Sequence, residues 1–384
     1  MESRIIKRKY IPFNSPYCGE KEIENIKKLA SLKHYSGNGY FTKKCSEWIV
    51  KNIECKSALL VHSCTAALEM CAILLDIKKG DEIIMPSYTF VSTANAFALR
   101  GGTPVFVDID PLTLNIDPKN IKNAISKNTK AIVVVHYAGV SCDMDPILEI
   151  AKKYKLYVIE DAAQSILSTY KGRPLGSIGD LATISFHETK NIHCGEGGAL
   201  LINNSKFIQR AKITRDKGTN RDLFNKNIVQ KYTWVDLGSS YGLSEINAAF
   251  LYAQFKKAKK ITSQRKSIFN QYHKQLKILE QQGFVRLPTI PNYSKSNGHI
   301  YYIQVLKKKR SALIKYLKKK SISSVFHYTP LHSSPFGVKN TLAKLKMNNT
   351  NLISNNLLRL PVYCELKNKD IKIICKNIFD FFNN

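Results

Sequence analysis

Lys190 stands in SFHETKNIHCGEGG, residues 185–198, between two apolar runs, ATISF at 182–186 and GGALLI at 197–202. A solvated lysine needs no such surroundings. A lysine that must condense with an aldehyde does, because desolvation lowers the ammonium pKa and frees the nitrogen lone pair. Any of the chain's 48 lysines could instead be a surface residue in a hairpin loop. What sets Lys190 apart is a second stretch upstream. In LYVIEDAAQS, 156–165, four apolar or aromatic residues run into Glu160 and Asp161, and Gln164 follows. An acid at the carboxyl end of a buried strand lies where α/β sheets bind ligands. Pyridoxal phosphate requires a carboxylate on its ring nitrogen and a lysine on its aldehyde. Asp161 alone would read as a helix cap. With Lys190 placed 29 residues later (190 − 161), after room for one segment between two strands, the pair reads as chemistry.

Two further positions fit that reading. Ser63, Cys64 and Thr65 close the apolar run ALLV (58–61) and open a helical one. A helix amino terminus with free N–H groups is an anion site, and these residues could also be a plain N-cap. Tyr88 follows EIIMP (82–86), where its ring could cover a flat cofactor or pack in the core.

These residues must be positioned by regular structure, and the pattern supplies it. Apolar runs at 58–61, 82–86, 104–109, 131–137 and 156–161 alternate with helical periodicity, including helices over 87–100 and 144–154 and one starting near Pro118. Such alternation predicts parallel strands with crossover helices. The strands are apolar throughout, so both sheet faces are expected to be covered. Ahead of them, a helix is expected over Lys21–Leu32 and a second after the GNG turn at 37–39; no strand precedes that turn, so it is not a dinucleotide fingerprint. A long helix is predicted from Ser244 to Leu276. Beyond Pro291 short strands, YYIQV, SSVFHY and LRLPVY, alternate with helices over 311–320 and 370–382. The polar stretch KMNNTNLISNN (346–356) is too short to be called disordered. The expected organisation is a large α/β unit over 1–245 and, over 246–384, the long helix with a smaller α+β unit.

The chain has 384 residues and a formal net charge of +30. Lysines outnumber arginines 48 to 11 and are spread over the chain, unlike the arginine-rich patches that read phosphates and bases in pairs. Runs such as KKAKK (256–260) read as solvated faces. A specific nucleic-acid partner is therefore not expected, whereas an anionic small substrate would gain from the field. Nine cysteines, with no CxxC pair, argue against a disulfide framework or a zinc site and fit a reducing cytoplasm. The basic start lacks the apolar segment of a signal peptide, and no run of about 18 apolar residues suggests a membrane span.

Taken in order, SCTAALE, MPSYTFVSTANA, EDAAQ, SFHETKN…GEGG and HYTPLH resemble the DegT/StrS family of pyridoxal-phosphate-dependent nucleotide-sugar aminotransferases over about residues 10–384. Longer runs, FTKKCSEW, STYKGRPLG and FHYTPLH among them, are similar to the members that aminate a dTDP-linked 4-keto-6-deoxy sugar. The resemblance implies an aspartate-aminotransferase-like fold (fold type I), L-glutamate as amino donor, and a homodimer with sites at the subunit interface. It implies that Lys190 carries the cofactor and shuttles the proton, that Asp161 pairs with the ring nitrogen and that Gln164 bonds near the phenolic oxygen. Tyr88 would stack on the ring. Cys64, Thr65 and Ser185 would hold the phosphate, and Ser240 would reach the phosphate of the partner subunit. His327, Tyr328 and His332 would line the sugar pocket.

Two positions depart from the family pattern: Cys64 stands where glycine is common, and Ser240 and Gly242 replace an asparagine and an arginine. Relatives that are dehydratases carry histidine in place of the lysine; here Lys190 is present, and His187 does not substitute for it. Two other readings remain open. The substrate could be GDP- or UDP-linked or a 3-keto sugar, or the chain could be a regulatory protein that kept the fold.

Overall fold

Strand-forming runs that are apolar on every residue can be satisfied only if helices cover both faces of the sheet. The computed structural model, which describes residues 10–307, 309–343 and 345–383, has this arrangement. After helices α1 (Glu20–Leu32) and α2 (Tyr40–Ile53) come β1 (Ser57–Val61), α3 (Cys64–Leu74), β2 (Glu82–Pro86), α4 (Val91–Ala98) and β3 (Thr103–Val107). Then follow α5 (Pro118–Ala124), β4 (Thr129–Val135), α6 (Met144–Tyr154) and β5 (Tyr157–Asp161). Short strands β6 (Thr169–Tyr170) and β7 (Arg173–Pro174) precede β8 (Leu181–Ser185) and β9 (Gly198–Ile202).

The seven-stranded sheet has the order β1-β9-β8-β5-β4-β2-β3. The pairs β2–β3, β2–β4, β4–β5 and β5–β8 are parallel, and β9 runs antiparallel to both β1 and β8. Successive residues serve opposite faces: Ile83 and Met85 enter the core that also holds α3 residues, while Ile84 packs with Val105, Val107 and α6 residues.

The rest of the chain is α7 (Ile208–Arg215), α8 (Arg221–Asn225), the 37-residue α9 (Glu245–Gln281), β10 (Val285–Arg286), β11 (Ser294–Lys295) and β12 (Tyr301–Val305). It ends with α10 (Arg310–Lys319), α11 (Pro335–Asn340), α12 (Asn348–Asn356), β13 (Leu357–Leu360) and α13 (Asn368–Asn383). A second sheet, β10-β12-β13, is antiparallel. Helix α9 serves two cores. Ala248, Leu251, Phe255 and Ile261 pack with α2 and the first sheet, whereas Ile268, Tyr272 and Leu276 pack with the second sheet and α13. Among the described residues, no helix is long and apolar enough to cross a membrane.

The structure corrects several local expectations. SSVFHY is not a strand: Val325 makes an isolated bridge to Arg359, and the chain then turns so that the His327 carbonyl accepts from the Tyr88 hydroxyl. The helix expected over 87–100 begins only at Val91, after an extended Ser87–Phe90 segment. KMNNTNLISNN contains a helix, α12. Its first turn is capped from a distance by Asp108, which accepts from the backbone N–H groups of Asn349 (2.9 Å) and Thr350 (2.8 Å).

Candidate active site

In parallel sheets the carboxyl ends of the strands are the natural floor of a binding site. Here Val135, Asp161 and Ser185, the last residues of β4, β5 and β8, line a cavity of about 1110 Å³. Its other walls come from the first turn of α3, from Phe90 to Thr93, from the 325–336 segment and from Arg359 on β13.

Lys190 reaches this cavity from the loop between β8 and β9. The antiparallel ladder continues past the strand ends, with Phe186 N–H donating to Gly197 (2.8 Å) and Glu188 N–H to Gly195 (2.8 Å). The loop is pinned at its base, and Lys190 N–H closes a turn onto His187 (2.9 Å). Burial, supported by the positive charge of Arg359, pushes the Lys190 ammonium pKa down from its ordinary value. The free amine needed to attack an aldehyde is thereby favoured.

Asp161 is buried, and desolvation raises its pKa. Hydrogen bonds oppose that rise: Thr93 Oγ1 donates to Oδ2 (2.7 Å) and Ala163 N–H to Oδ1 (3.2 Å). Because Thr93 spends its proton on Asp161, the 2.8 Å contact between the Thr89 and Thr93 hydroxyls has Thr89 as donor. A two-hydroxyl relay from the extended segment and first turn of α4 thus fixes the carboxylate. A cation brought to Asp161 would return it to its charged form.

The first turn of α3 leaves the N–H groups of Cys64 and Thr65 without intrahelical partners. Ser63 caps the helix by accepting from Ala66 N–H (3.0 Å). Gly198 lets β9 lie directly against this turn, since a Cβ there would sit 2.5 Å from the Cys64 nitrogen. Burial pushes the Cys64 thiol up to about 12, so it brings no negative charge to an anion site. Ser185 faces the same cavity. Gln164 is oriented by Ala138 N–H, which donates to its Oε1 (2.7 Å), and its amide then donates to the Tyr328 hydroxyl oxygen (2.9 Å). Tyr328 keeps its own proton for a ligand, and burial holds that proton firmly.

The structure brings Lys190, Asp161, Cys64, Thr65, Gln164, Ser185, His327 and Tyr328 to one cavity. It does not bring Tyr88, His332 or Ser240 there. Tyr88 is 1% exposed and packs among Tyr137, Tyr302 and Ile300. The aromatic residue on the cavity wall is Phe90, two residues on and 56% exposed. The extended segment turns alternate residues to opposite sides, so one falls inward and the other outward. His332 is drawn away by Ser87, whose hydroxyl lies 2.7 Å from its Nδ1 and accepts from its backbone N–H (3.1 Å). Ser240 is exposed and bridges to Asp216.

Among the lining residues that the sequence reading missed are Phe90, Arg359, Arg265 and His299. For Arg359 a signal was present, a lone cation inside the apolar run LLRLPV.

A lysine amine and a buried carboxylate face one cavity above the carboxyl ends of an α/β sheet, with a helix amino terminus beside them. That is the layout of an aminotransferase of the aspartate-aminotransferase-like fold. The model of the DegT/DnrJ/EryC1/StrS aminotransferase family matches residues 16–379, and the chain belongs to that family. An uncharacterized protein of Methanocaldococcus jannaschii is 37% identical over 377 residues, 96% of each chain. Among solved structures, the aminotransferase from Psychrobacter cryohalolentis superposes with a TM-score of 0.91 at 25% identity, over 98% of this chain and 99% of that one. A putative sugar aminotransferase from Streptococcus pneumoniae in its PLP form has a TM-score of 0.87 at 24% identity, over 96% and 97%. The cofactor of this chain is pyridoxal 5′-phosphate, and the amine, the buried acid and the α3 amino terminus fit its aldehyde, ring nitrogen and phosphate.

Proposed function

We propose that this aminotransferase transfers the amino group of L-glutamate to a nucleotide-linked 4-keto-6-deoxy sugar. The substrate is dTDP-4-dehydro-6-deoxy-D-glucose and the product dTDP-4-amino-4,6-dideoxy-D-galactose, a building block for surface polysaccharide. The observation that carries the reading is the set Lys190, Asp161 and Gln164 on one cavity whose volume, about 1110 Å³, lies at the upper end of ligand pockets. A cofactor and a sugar nucleotide together need such room. The putative sugar aminotransferase with the same fold supports a sugar substrate.

The bound cofactor supplies an electron-accepting ring for the carbon whose proton is lost. Lys190 would take that proton as a base and return one, as an acid, to the cofactor carbon on the far side of the transferred nitrogen. Asp161, held by Thr93 and Ala163, keeps the ring nitrogen protonated. The N–H groups of Cys64 and Thr65 and the Ser185 hydroxyl hold the phosphate. Tyr328 and Gln164 orient the phenolic oxygen, and His327 lines the sugar side. Its imidazole, tied at Nδ1 to the Tyr137 hydroxyl (2.8 Å), stays neutral because burial lowers its pKa far below the usual value.

The working form is a cytoplasmic homodimer in which Ser240 reaches the partner's phosphate site. The apolar surface of the segment before Ser240 supports this, with Trp234 77% exposed and Val235 and Leu237 also exposed. The apolar stretch Ala248–Tyr252 does not: Ala248, Ala249 and Leu251 are buried within the chain's own core. The test is an assay with glutamate and a panel of dTDP-, UDP- and GDP-linked keto sugars, with NMR of the product. Amination of the dTDP-linked 4-keto sugar is expected; preference for a 3-keto or another nucleotide substrate would overturn the assignment.

A further inference from the structure

We propose that His299 is a positioning residue for Lys190: its bare Nε2 accepts a hydrogen bond from the lysine amine whenever that amine is free, and so aims the nitrogen lone pair. The imidazole sits just ahead of β12 and lines the cavity. Two buried asparagines set its orientation. His299 Nδ1 lies 2.7 Å from Asn191 Oδ1. Asn191 donates through its amide nitrogen to the Asn297 carbonyl (3.2 Å), so its oxygen is the atom that faces the ring. A carbonyl oxygen only accepts, which puts the hydrogen on Nδ1 and leaves the lone pair on Nε2. Asn297 in turn donates to the carbonyls of Gln164 and Ile166 (both 2.9 Å) and accepts from the His299 backbone N–H (3.0 Å).

Asn191 is the residue after Lys190. One amide network therefore ties the loop that carries the lysine, the segment that follows Asp161 and the entry to the second sheet. Among the described residues nothing bonds Nε2. A buried acceptor with no donor is unfavourable unless something in the cavity meets it.

The surroundings identify the donor. The charges felt most strongly at His299 are all positive: Lys190, then Arg265, Arg359 and His327. Together with burial they hold the imidazole neutral, its pKa well below the usual value. A carboxylate or an ionised phosphate has no proton to offer a bare nitrogen. Arg265 is already engaged, donating through Nη2 to the His299 carbonyl (2.7 Å). Lys190 is the nearest charge in effect at His299, whereas Arg359 is so at His327 across the cavity. Once substrate nitrogen has displaced it from the cofactor, Lys190 regains N–H groups in a dry cavity. One of them placed on Nε2 leaves the lone pair free to take the substrate proton. His299 thus acts through Lys190 and itself exchanges no proton.

This inference rests on the proposed role of Lys190, and the experiment separates the two. Cofactor-free wild type, H299F and H299Q are labelled competitively with acetic anhydride, and peptide mapping reads the rate at Lys190. A neutral acceptor favours the ammonium over the amine, so its loss in H299F should raise labelling at fixed pH by about three- to tenfold. The amide of H299Q can donate to Asn191 and accept from Lys190, and should stay within about twofold of wild type. In the loaded protein, H299F should lower kcat for cofactor conversion by glutamate roughly tenfold with KM little changed. Nitrogen NMR of histidine-labelled wild type, with His299 assigned by its absence from H299Q, should show a protonated Nδ1 and a bare Nε2. Should H299F not fold, that spectrum carries the test. A proton on Nε2 overturns the proposal. So does slower labelling in H299F, which would mean a charged imidazole, or unchanged labelling, which would make the residue structural. A kinetic loss confined to the amino-sugar half-reaction would assign Nε2 to a sugar hydroxyl and overturn it too. If hydride trapping finds the cofactor on another lysine, it is the role of Lys190 that falls.

Discussion

The two walls of the cavity are built differently. The wall formed by β5, β8, β9 and α3 is regular. Asp161 and Ser185 end parallel strands, Lys190 sits in a pinned loop, and Cys64 and Thr65 open a capped helix. The opposite wall, from Val325 to Ser334, is irregular and is held by isolated long-range bonds, among them those from Tyr88 to the His327 carbonyl and from Gln164 to Tyr328. On the proposed function, the regular wall would carry the groups every turnover needs, and the irregular wall those that meet the substrates, on a loop whose shape can change without disturbing the sheet.

Substitution can break this contrast. Asp161→Asn removes the charge on the regular wall and should lower kcat in both half-reactions by about 10² to 10³-fold, the cost of losing one preorganised electrostatic contact. Single-turnover kinetics with glutamate and with amino sugar check it. A loss confined to one half-reaction would place Asp161 with the substrate-specific wall. Gly198→Ala drives a methyl toward the Cys64 nitrogen, at 2.5 Å, and should cost about 1–3 kcal/mol of stability while loosening the cofactor. Thermal unfolding with and without cofactor measures both.

The corrected aromatic residue gives a sharper pair. Phe90→Ala should lower cofactor affinity by roughly tenfold, the worth of an aromatic contact. Tyr88→Phe, which loses a hydrogen bond to the His327 carbonyl, should shift stability by about 1 kcal/mol and leave affinity unchanged. Equilibrium dialysis of the cofactor separates them, and the reverse order would restore Tyr88 to the site.

The smallest effect is one of pH. On the proposed role of Lys190, cofactor capture by the apoprotein requires its neutral amine, and burial lowers that amine's pKa. The capture rate should therefore rise with pH and level off below the ordinary lysine value of about 10.4. A plateau only above that value would mean a solvated lysine.

The same contrast decides what could be read from the sequence. The α/β alternation, the place of Asp161 and the tether of Lys190 were legible because each follows from local periodicity and strand ends. Tyr88 and Phe90 were not distinguished, since both sit in a short extended segment where register alone decides which ring faces inward. SSVFHY has the composition of a strand, but bonds to residues more than 150 positions away hold it in a different path. Arg359 was visible only as an anomaly in an apolar run. Its guanidinium packs against Phe13, over 300 residues earlier, which no spacing rule would connect.

The most direct test is hydride trapping of the cofactor-loaded protein followed by peptide mapping. Borohydride should fix the cofactor on the peptide containing Lys190, and Lys190→Ala protein should carry no tag and show no turnover. A tag on another lysine, or full turnover by the variant, would contradict the account.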